Sequence, residues 1–192
     1  MYDRIALAIA VAVCVGVLQG CAGVVVAGGA TGAAVAHDQR TVGTVIEDQA
    51  IELKAASAIR GDKELDAQSH INVTSYNGTV LLSGETPGDA LRKRAEELVS
   101  RIEKVKKVHN ELLVAAPSSV ISRSSDTLIT TKIKSQMVAT KDFDPTRVKV
   151  VTENGVVYML GLVQRAEADV ATDIAGRTGG VQRVVKLFEY LN

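Results

Sequence analysis

The chain has 192 residues, of which 46% are hydrophobic and only 3% aromatic, with 22 basic and 22 acidic side chains. This length accommodates one medium-sized domain or two small ones. A formal charge of zero argues against a nucleic-acid partner held by phosphate neutralisation, and so few aromatic residues leave no platform for stacking bases. The balanced charge and ordinary apolar content also disfavour a disordered chain.

The N-terminus is typical of a lipoprotein signal peptide, predicted over residues 1–20. An apolar run over residues 5–18 is short for a membrane span and leads into the lipobox Leu18-Gln19-Gly20-Cys21. Cys21 is therefore the predicted lipidation site. Cys14 lies in the part that would be removed, so the mature chain would hold one cysteine and no disulfide.

A tether rich in Gly and Ala is predicted over residues 21–45. In bacterial lipoproteins the residue after the lipidated cysteine influences sorting, and here it is Ala22 rather than Asp. The resemblance to these lipoproteins implies delivery to the outer membrane, with the domains facing the periplasm. The alternative is an uncleaved anchor, since residues 5–36 are apolar almost throughout and could form a longer spanning helix.

Two copies of one sequence unit follow the tether. Residues 71–84 align without a gap with residues 148–161, and both segments carry Asn-Gly between alternating β-branched residues. This pattern predicts a β-hairpin with a type I′ turn at Asn77-Gly78 and at Asn154-Gly155, because such a turn needs positive φ at both central residues.

A helix before and after each hairpin is predicted from apolar residues at helical spacing. The expected buried positions are Ile51, Ala55, Ala58 and Ile59, then Leu91, Ala95, Leu98, Val99 and Ile102 in copy one, and Ile129, Ile133 and Met137, then Val170, Ala171, Ile174 and Ala175 in copy two. Asp48 and Asp126 are predicted as helix caps or first-turn acids. A final strand is expected at residues 105–114 and 181–191.

The predicted fold class is α+β, with two tandem α-β-β-α-β units, each a small mixed three-stranded sheet covered by two helices. The predicted domains span residues 46–115 and 124–192. The joint at residues 115–119 contains Pro117 and two serines, which disfavour regular structure. Because this joint is short, the two units are expected to touch.

The repeated unit resembles the BON domain. The resemblance rests on the order of elements, the Asn-Gly hairpin and the segment Gly180-Val181-Gln182-Arg183-Val184 before the last strand. Copy one departs from this pattern, with Lys104-Val105-Lys106-Lys107-Val108 lacking the glycine. Two such units behind a lipobox and a short tether are similar to the dual-BON outer-membrane lipoproteins, over about residues 18–191.

No converging set of catalytic residues is recognisable, so neither an enzyme nor a cofactor nor a metal site is expected. The spacing of His37, His70 and His109 brings no two of them to one helix face, and the latter two are interpreted as partly exposed strand residues. The acidic segments Asp62–Asp66 and Asp142–Asp144 lack the pattern of a calcium loop. They are interpreted as solvated connectors.

The two copies differ in charge, which the neutral total conceals. Glu47 to Glu111 holds ten basic and twelve acidic residues, whereas Arg123 to Glu189 holds ten basic and eight acidic. On the first helix of copy two, the pattern leaves Leu128 and Val138 as exposed or half-exposed apolar residues beside two lysines. Such a helix is typical of proteins that bind anionic lipid at the membrane interface. The alternative is that Leu128 packs against copy one or the tether and the lysines form an ordinary solvated face.

The family resemblance favours the lipid-binding interpretation. It implies binding of anionic phospholipid, such as phosphatidylglycerol, through the first helix of the second BON domain, with enrichment at the division site and support of outer-membrane integrity and cell division. The residues implied are Leu128, Ile129, Thr131, Lys132, Lys134, Ser135 and Val138. The alternative function is a protein-interaction adaptor for an envelope assembly or peptidoglycan-remodelling partner.

Overall fold

The structure, a computed structural model, describes residues 40–116 and 120–191. The predicted signal peptide, the lipidation site Cys21, the residues of the alternative anchor, His37 and nearly all of the tether lie outside these residues. Among the described helices, none combines the length and the apolar character that crossing a membrane requires.

Each repeat has the predicted order of elements. Repeat one contains α1 (Val42–Gly61), a short α2 (Lys63–Gln68), β1 (His70–Tyr76), β2 (Thr79–Thr86), α3 (Asp89–Ser100), β3 (Lys107–Asn110) and β4 (Leu113–Val114). Repeat two contains α4 (Val120–Ala139), a 3₁₀ turn (Pro145–Arg147), β5 (Val148–Glu153), β6 (Val156–Val163), α5 (Arg165–Arg177) and β7 (Arg183–Tyr190). Residues 42–45, placed in the tether by the sequence analysis, form the first turn of α1.

A mixed sheet forms in each repeat, as predicted. The hairpin strands pair antiparallel, and β2 and β6 each pair in parallel with the last strand of their repeat. In repeat two this last strand is continuous, but it begins at Arg183 rather than residue 181. In repeat one the strand expected over residues 105–114 begins at Lys107 and is split into β3 and β4. Between them the Asn110 side-chain oxygen accepts the N–H of Leu112 at 3.4 Å.

Both hairpins turn at Asn-Gly in the predicted conformation. The φ angles are 53° at Asn77 and 76° at Gly78, and 49° at Asn154 and 72° at Gly155. Positive φ at both central residues defines a type I′ turn, whose twist matches that of the flanking strands. A Cβ at Gly78 would lie 2.7 Å from the Lys104 carbonyl oxygen, so glycine is needed there for space as well as for conformation.

The prediction that Asp48 and Asp126 cap their helices is wrong. α1 and α4 begin at Val42 and Val120, so both acids lie in the second turn, and both are buried. Thr41 caps α1 instead, where its side-chain oxygen accepts the N–H of Thr44. Sequence patterns located the helices but not the role of these two carboxylates.

Each of these carboxylates accepts hydrogen bonds from the turn of its own hairpin. Asp126 accepts the N–H groups of Asn154 and Gly155, both at 2.8 Å. Asp48 accepts those of Asn77 at 2.7 Å and Gly78 at 2.8 Å, together with the Ser75 hydroxyl at 2.7 Å. Charge-assisted hydrogen bonds of this kind are roughly twice as strong as neutral ones. They fasten the first helix of each repeat to its hairpin.

The helices bury the predicted stripes against one face of each sheet. The confirmed core positions are Ile51, Ala55, Ile59, Leu91, Ala95 and Val99 in repeat one, and Ile129, Ile133, Met137, Ala171 and Ala175 in repeat two. The prediction that Val170 is buried is wrong, since this residue is 39% exposed. Ala168 is buried instead, and it falls on the same face of α5 as Ala171 and Ala175.

The acidic segments are not simple solvated connectors. The Asp62 carboxylate accepts the N–H groups of Glu64 and Leu65 and thereby caps α2, which places Leu65 fully inside the core. In repeat two, Asp144 caps the 3₁₀ turn, and the half-buried Phe143 packs against the core. Each segment therefore caps a short helical element and places one apolar side chain in or against the core of its domain.

The sheet faces without helices pack against each other, so the two repeats touch, as expected. Alternate residues of one strand serve the two faces: Val80 and Leu82 join the helix-covered core, whereas Leu81 joins the shared one. The buried members of this shared core are Tyr76, Leu81, Tyr158, Leu160 and Leu187. The layers therefore run helices, sheet, sheet, helices.

The Asp126 contact should carry much of the stability of repeat two. Replacing Asp126 with alanine should lower the free energy of unfolding by about 3 kcal/mol, because two backbone N–H groups lose a charged acceptor. Urea denaturation followed by circular dichroism measures this loss.

The matched control is Asp173→Ala, which removes an exposed acid that pairs with Arg177 one turn away on α5. Its effect should stay within about 0.5 kcal/mol. Equal losses for the two variants would contradict the role assigned to Asp126.

Candidate functional site

The outer face of α4 presents apolar side chains together with cations. Leu128 is 61% exposed and Val138 is 71% exposed. Thr131, Lys132, Lys134 and Ser135 are also exposed. At about 100° per residue, Lys132 falls on one side of the line from Leu128 to Val138 and Lys134 on the other. The helix therefore assembles six of the seven sequence-predicted lipid contacts on one surface, called the α4 surface below.

Ile129 does not belong to the α4 surface, so this predicted lipid contact is wrong. Its side chain is 6% exposed and packs in the core with Ile133 and Met137. It also lies against Gly180, where an added Cβ would approach the Ile129 Cδ1 to 3.0 Å. The glycine before the last strand therefore makes room for Ile129, and the buried position follows from the helical spacing noted in the sequence.

The two lysines of the α4 surface are available to a ligand. Within residues 40–116 and 120–191, neither Lys132 nor Lys134 forms a salt bridge. Lys149, by contrast, lies on β5 and pairs with Glu52 of repeat one at 2.9 Å. Lys149 is thus occupied at the contact between the repeats, whereas Lys132 and Lys134 remain on the surface.

A groove of about 490 Å³ lies beside the α4 surface. One wall is α4 and another is β5, while His70 and Asn72 of β1 close it from repeat one. Thr131 and Lys134 line the groove as well as the surface, and Arg123 contributes a further cation. Hydroxyl, ammonium and guanidinium groups together can donate to the oxygens of a phosphate ester.

Polar bonds across the junction fix the position of repeat one at this groove. Asn72 donates to the Glu153 carboxylate at 2.8 Å, and Asn77 donates to the Glu189 carboxylate at 2.8 Å. Asn154 donates in the opposite direction, to Glu85 of repeat one. Burial raises the pKa of the Glu153 carboxyl, the Asn72 hydrogen bond lowers it, and the charge of Glu85 raises it further.

Two features of the structure were not predicted from the sequence. The outer face of α1 carries a stripe of exposed apolar residues, Val42, Ile46 and Leu53, whose spacing is readable from the sequence. The junction acids had a weaker signal, a charged residue within an otherwise uncharged strand. Glu85 is the example, since every residue of β2 is buried. Charge and periodicity can indicate that such a residue is exceptional, but they do not show which residue of the other repeat it contacts.

Comparison with known proteins identifies a domain family that matches both repeats and relatives that align with most of the chain. The model of the BON domain family matches residues 47–116 and 125–192. The outer membrane lipoprotein DolP of Haemophilus influenzae is 42% identical over 91% of each chain. A 21 kDa hemolysin of Actinobacillus pleuropneumoniae is 36% identical over 80% of this chain and 79% of that one. The osmotically-inducible protein Y of Escherichia coli is 34% identical over 74% of this chain and 72% of that one.

The adjacent residues Leu128 and Ile129 should respond very differently to truncation. Ile129→Ala should lower the free energy of unfolding by about 3 kcal/mol, because it opens a cavity in the core. Leu128→Ala should change it by no more than about 0.5 kcal/mol, because this side chain is solvated. Urea denaturation of both variants provides the comparison, and a large loss for Leu128→Ala would show that this residue is part of the packing.

Proposed function

Because the chain belongs to the family of BON-domain proteins, we propose that it is a periplasm-facing lipoprotein of the outer membrane that binds anionic phospholipid through repeat two. Cys21 in its lipobox is the proposed anchor, and the name of the Haemophilus influenzae relative supports the outer-membrane location. In this proposal the protein has no catalytic activity. Its contact with phosphatidylglycerol or a similar lipid supports outer-membrane integrity and cell division, with enrichment at the division site.

The α4 surface is the observation that carries this proposal. Leu128 and Val138 are exposed apolar side chains that can enter the acyl region, and the lysines beside them can meet lipid phosphates. A lysine close to an anionic surface contributes about 1 kcal/mol, and fully burying a leucine side chain contributes about 2 kcal/mol. Such a contact is weak alone but effective for a protein that is already tethered to a membrane.

The groove adds a place for the head group. Lys134 and Thr131 stand where the outer face of α4 meets the groove, so one phosphodiester could contact both side chains while its acyl chains approach Leu128. Asp126 also lines the groove, but its carboxylate is engaged with the N–H groups of Asn154 and Gly155. Its negative charge is therefore partly compensated before any ligand arrives.

The adaptor is retained as a second candidate because of the stripe on α1. Val42, Ile46 and Leu53 are exposed, and Glu47 lies on the same helix. An exposed apolar stripe of this kind is typical of a surface that contacts another protein. The partner would be an envelope assembly factor or a regulator of peptidoglycan remodelling.

Vesicle sedimentation of residues 22–192, without acylation, tests the lipid proposal. The protein should pellet with phosphatidylglycerol vesicles and not with zwitterionic ones, and moderate salt should weaken the binding. The double variant Lys132→Gln, Lys134→Gln should bind about 30-fold more weakly, which corresponds to about 2 kcal/mol. Leu128→Glu should also weaken binding while leaving the circular dichroism spectrum unchanged.

The control for charge is the double variant Lys63→Gln, Lys93→Gln, which removes two exposed lysines of repeat one and gives the same net charge. This variant should bind as the parent does. A parent protein that pellets with neither type of vesicle would overturn the lipid proposal and leave the adaptor as the better account. Equal losses for the two double variants would show attraction by net charge alone.

A further inference from the structure

Three potential metal ligands converge at the junction between the repeats. His70, Glu85 and Glu153 each offer one ligand atom, and these atoms lie within 4.8 Å of one another. His70 and Glu85 face each other across the antiparallel pair of β1 and β2, which places their side chains on the same face of that sheet. Glu153, the last residue of β5, arrives from repeat two.

The two carboxylates of this cluster are buried, which is unusual for charged side chains. Glu85 is 1% exposed and Glu153 is 6% exposed. One oxygen of Glu85 accepts from Asn154, but the other, Oε2, is buried and has no hydrogen-bond partner among the residues that the structure describes. Neither residue forms a salt bridge with a cationic side chain in the described ranges. A buried carboxylate oxygen without a partner carries a large desolvation cost.

A divalent cation would compensate both carboxylates at once. The mixture of one imidazole and two carboxylates suits a borderline metal such as Zn²⁺, whereas Ca²⁺ and Mg²⁺ prefer oxygen ligands alone. Three protein ligands and a water complete a tetrahedral zinc site with Zn–N and Zn–O distances of about 2.0–2.2 Å. The three ligand atoms, which lie within 4.8 Å of one another, would draw closer around the ion. His70, which is half-buried, and the buried Glu153 both line the groove, which gives the ion a path to the site.

We propose that His70, Glu85 and Glu153 form a zinc site that joins the two repeats. Two ligands belong to repeat one and the third to repeat two, so the bound ion would link the two repeats directly. Hydrogen bonds already orient the two carboxylates, since Asn72 donates to Glu153 and Asn154 donates to Glu85. None of the three ligands belongs to the α4 surface, although His70 and Glu153 line the groove beside it, so zinc binding is measured here without lipid.

Calorimetric titration of the full chain in detergent, freed of metal by a chelator, tests the site. Zn²⁺ should bind with one equivalent per chain and raise the Tm by several degrees, whereas Mg²⁺ should do neither. Glu85→Gln should weaken zinc binding at least tenfold. Without metal, the same variant should have a Tm equal to or above that of the parent, because it removes one of two facing buried carboxylates and supplies an amide that can donate to Glu153.

Two further variants separate the site from other effects. His70→Gln changes a half-buried residue and should abolish the zinc-dependent rise in Tm, whereas His109→Gln removes a histidine outside the cluster and should leave it intact. A parent protein without a zinc-dependent rise in Tm would overturn the proposal. So would a rise that both Glu85→Gln and His70→Gln retain.

Discussion

The asparagine of each Asn-Gly turn is the point on which both the repeats and their junction depend. Asn154 donates its N–H to Asp126 of its own repeat and its side-chain amide to Glu85 of the other. Asn77 does the same toward Asp48 and Glu189. A residue with positive φ in a tight hairpin turn therefore also orients a helix and fixes a neighbouring domain. Few other residue types combine a tolerated left-handed conformation with an amide donor.

This arrangement determines what α4 presents to its surroundings. Asp126 must face the hairpin turn, and Ile129 and Ile133 must face the core, so the rotation of the helix about its axis is fixed from both sides. Leu128 then has no position available except the outer face. The exposure of an apolar residue at this point is a consequence of the core and turn contacts, which makes it a constant feature of the surface rather than a side-chain fluctuation.

Patterns within one element were readable from the sequence, and contacts between elements were not. The type I′ turns and the buried stripes follow from residue type and period, and they were confirmed together with the two BON domains. The roles of Asp48 and Asp126 were mistaken, because an acid near a helix start looks the same whether it caps that helix or reaches a hairpin 28 residues onward in sequence. The convergence of His70 with two glutamates required strand register and repeat packing, neither of which the spacing of histidines reveals.

The neutral total charge of the chain conceals a difference in environment between some of its acids and two of its lysines. Glu52, Glu85 and Glu189 of the two repeats are engaged at the junction by Lys149, Asn154 and Asn77 respectively. These three acids are engaged where the repeats meet, whereas Lys132 and Lys134 are exposed on α4. Electrostatic attraction at a surface depends on the charges within about a Debye length of it, roughly 8 Å at physiological salt, and not on the total. A protein with equal numbers of acidic and basic residues can thus offer an anionic membrane a cationic helix.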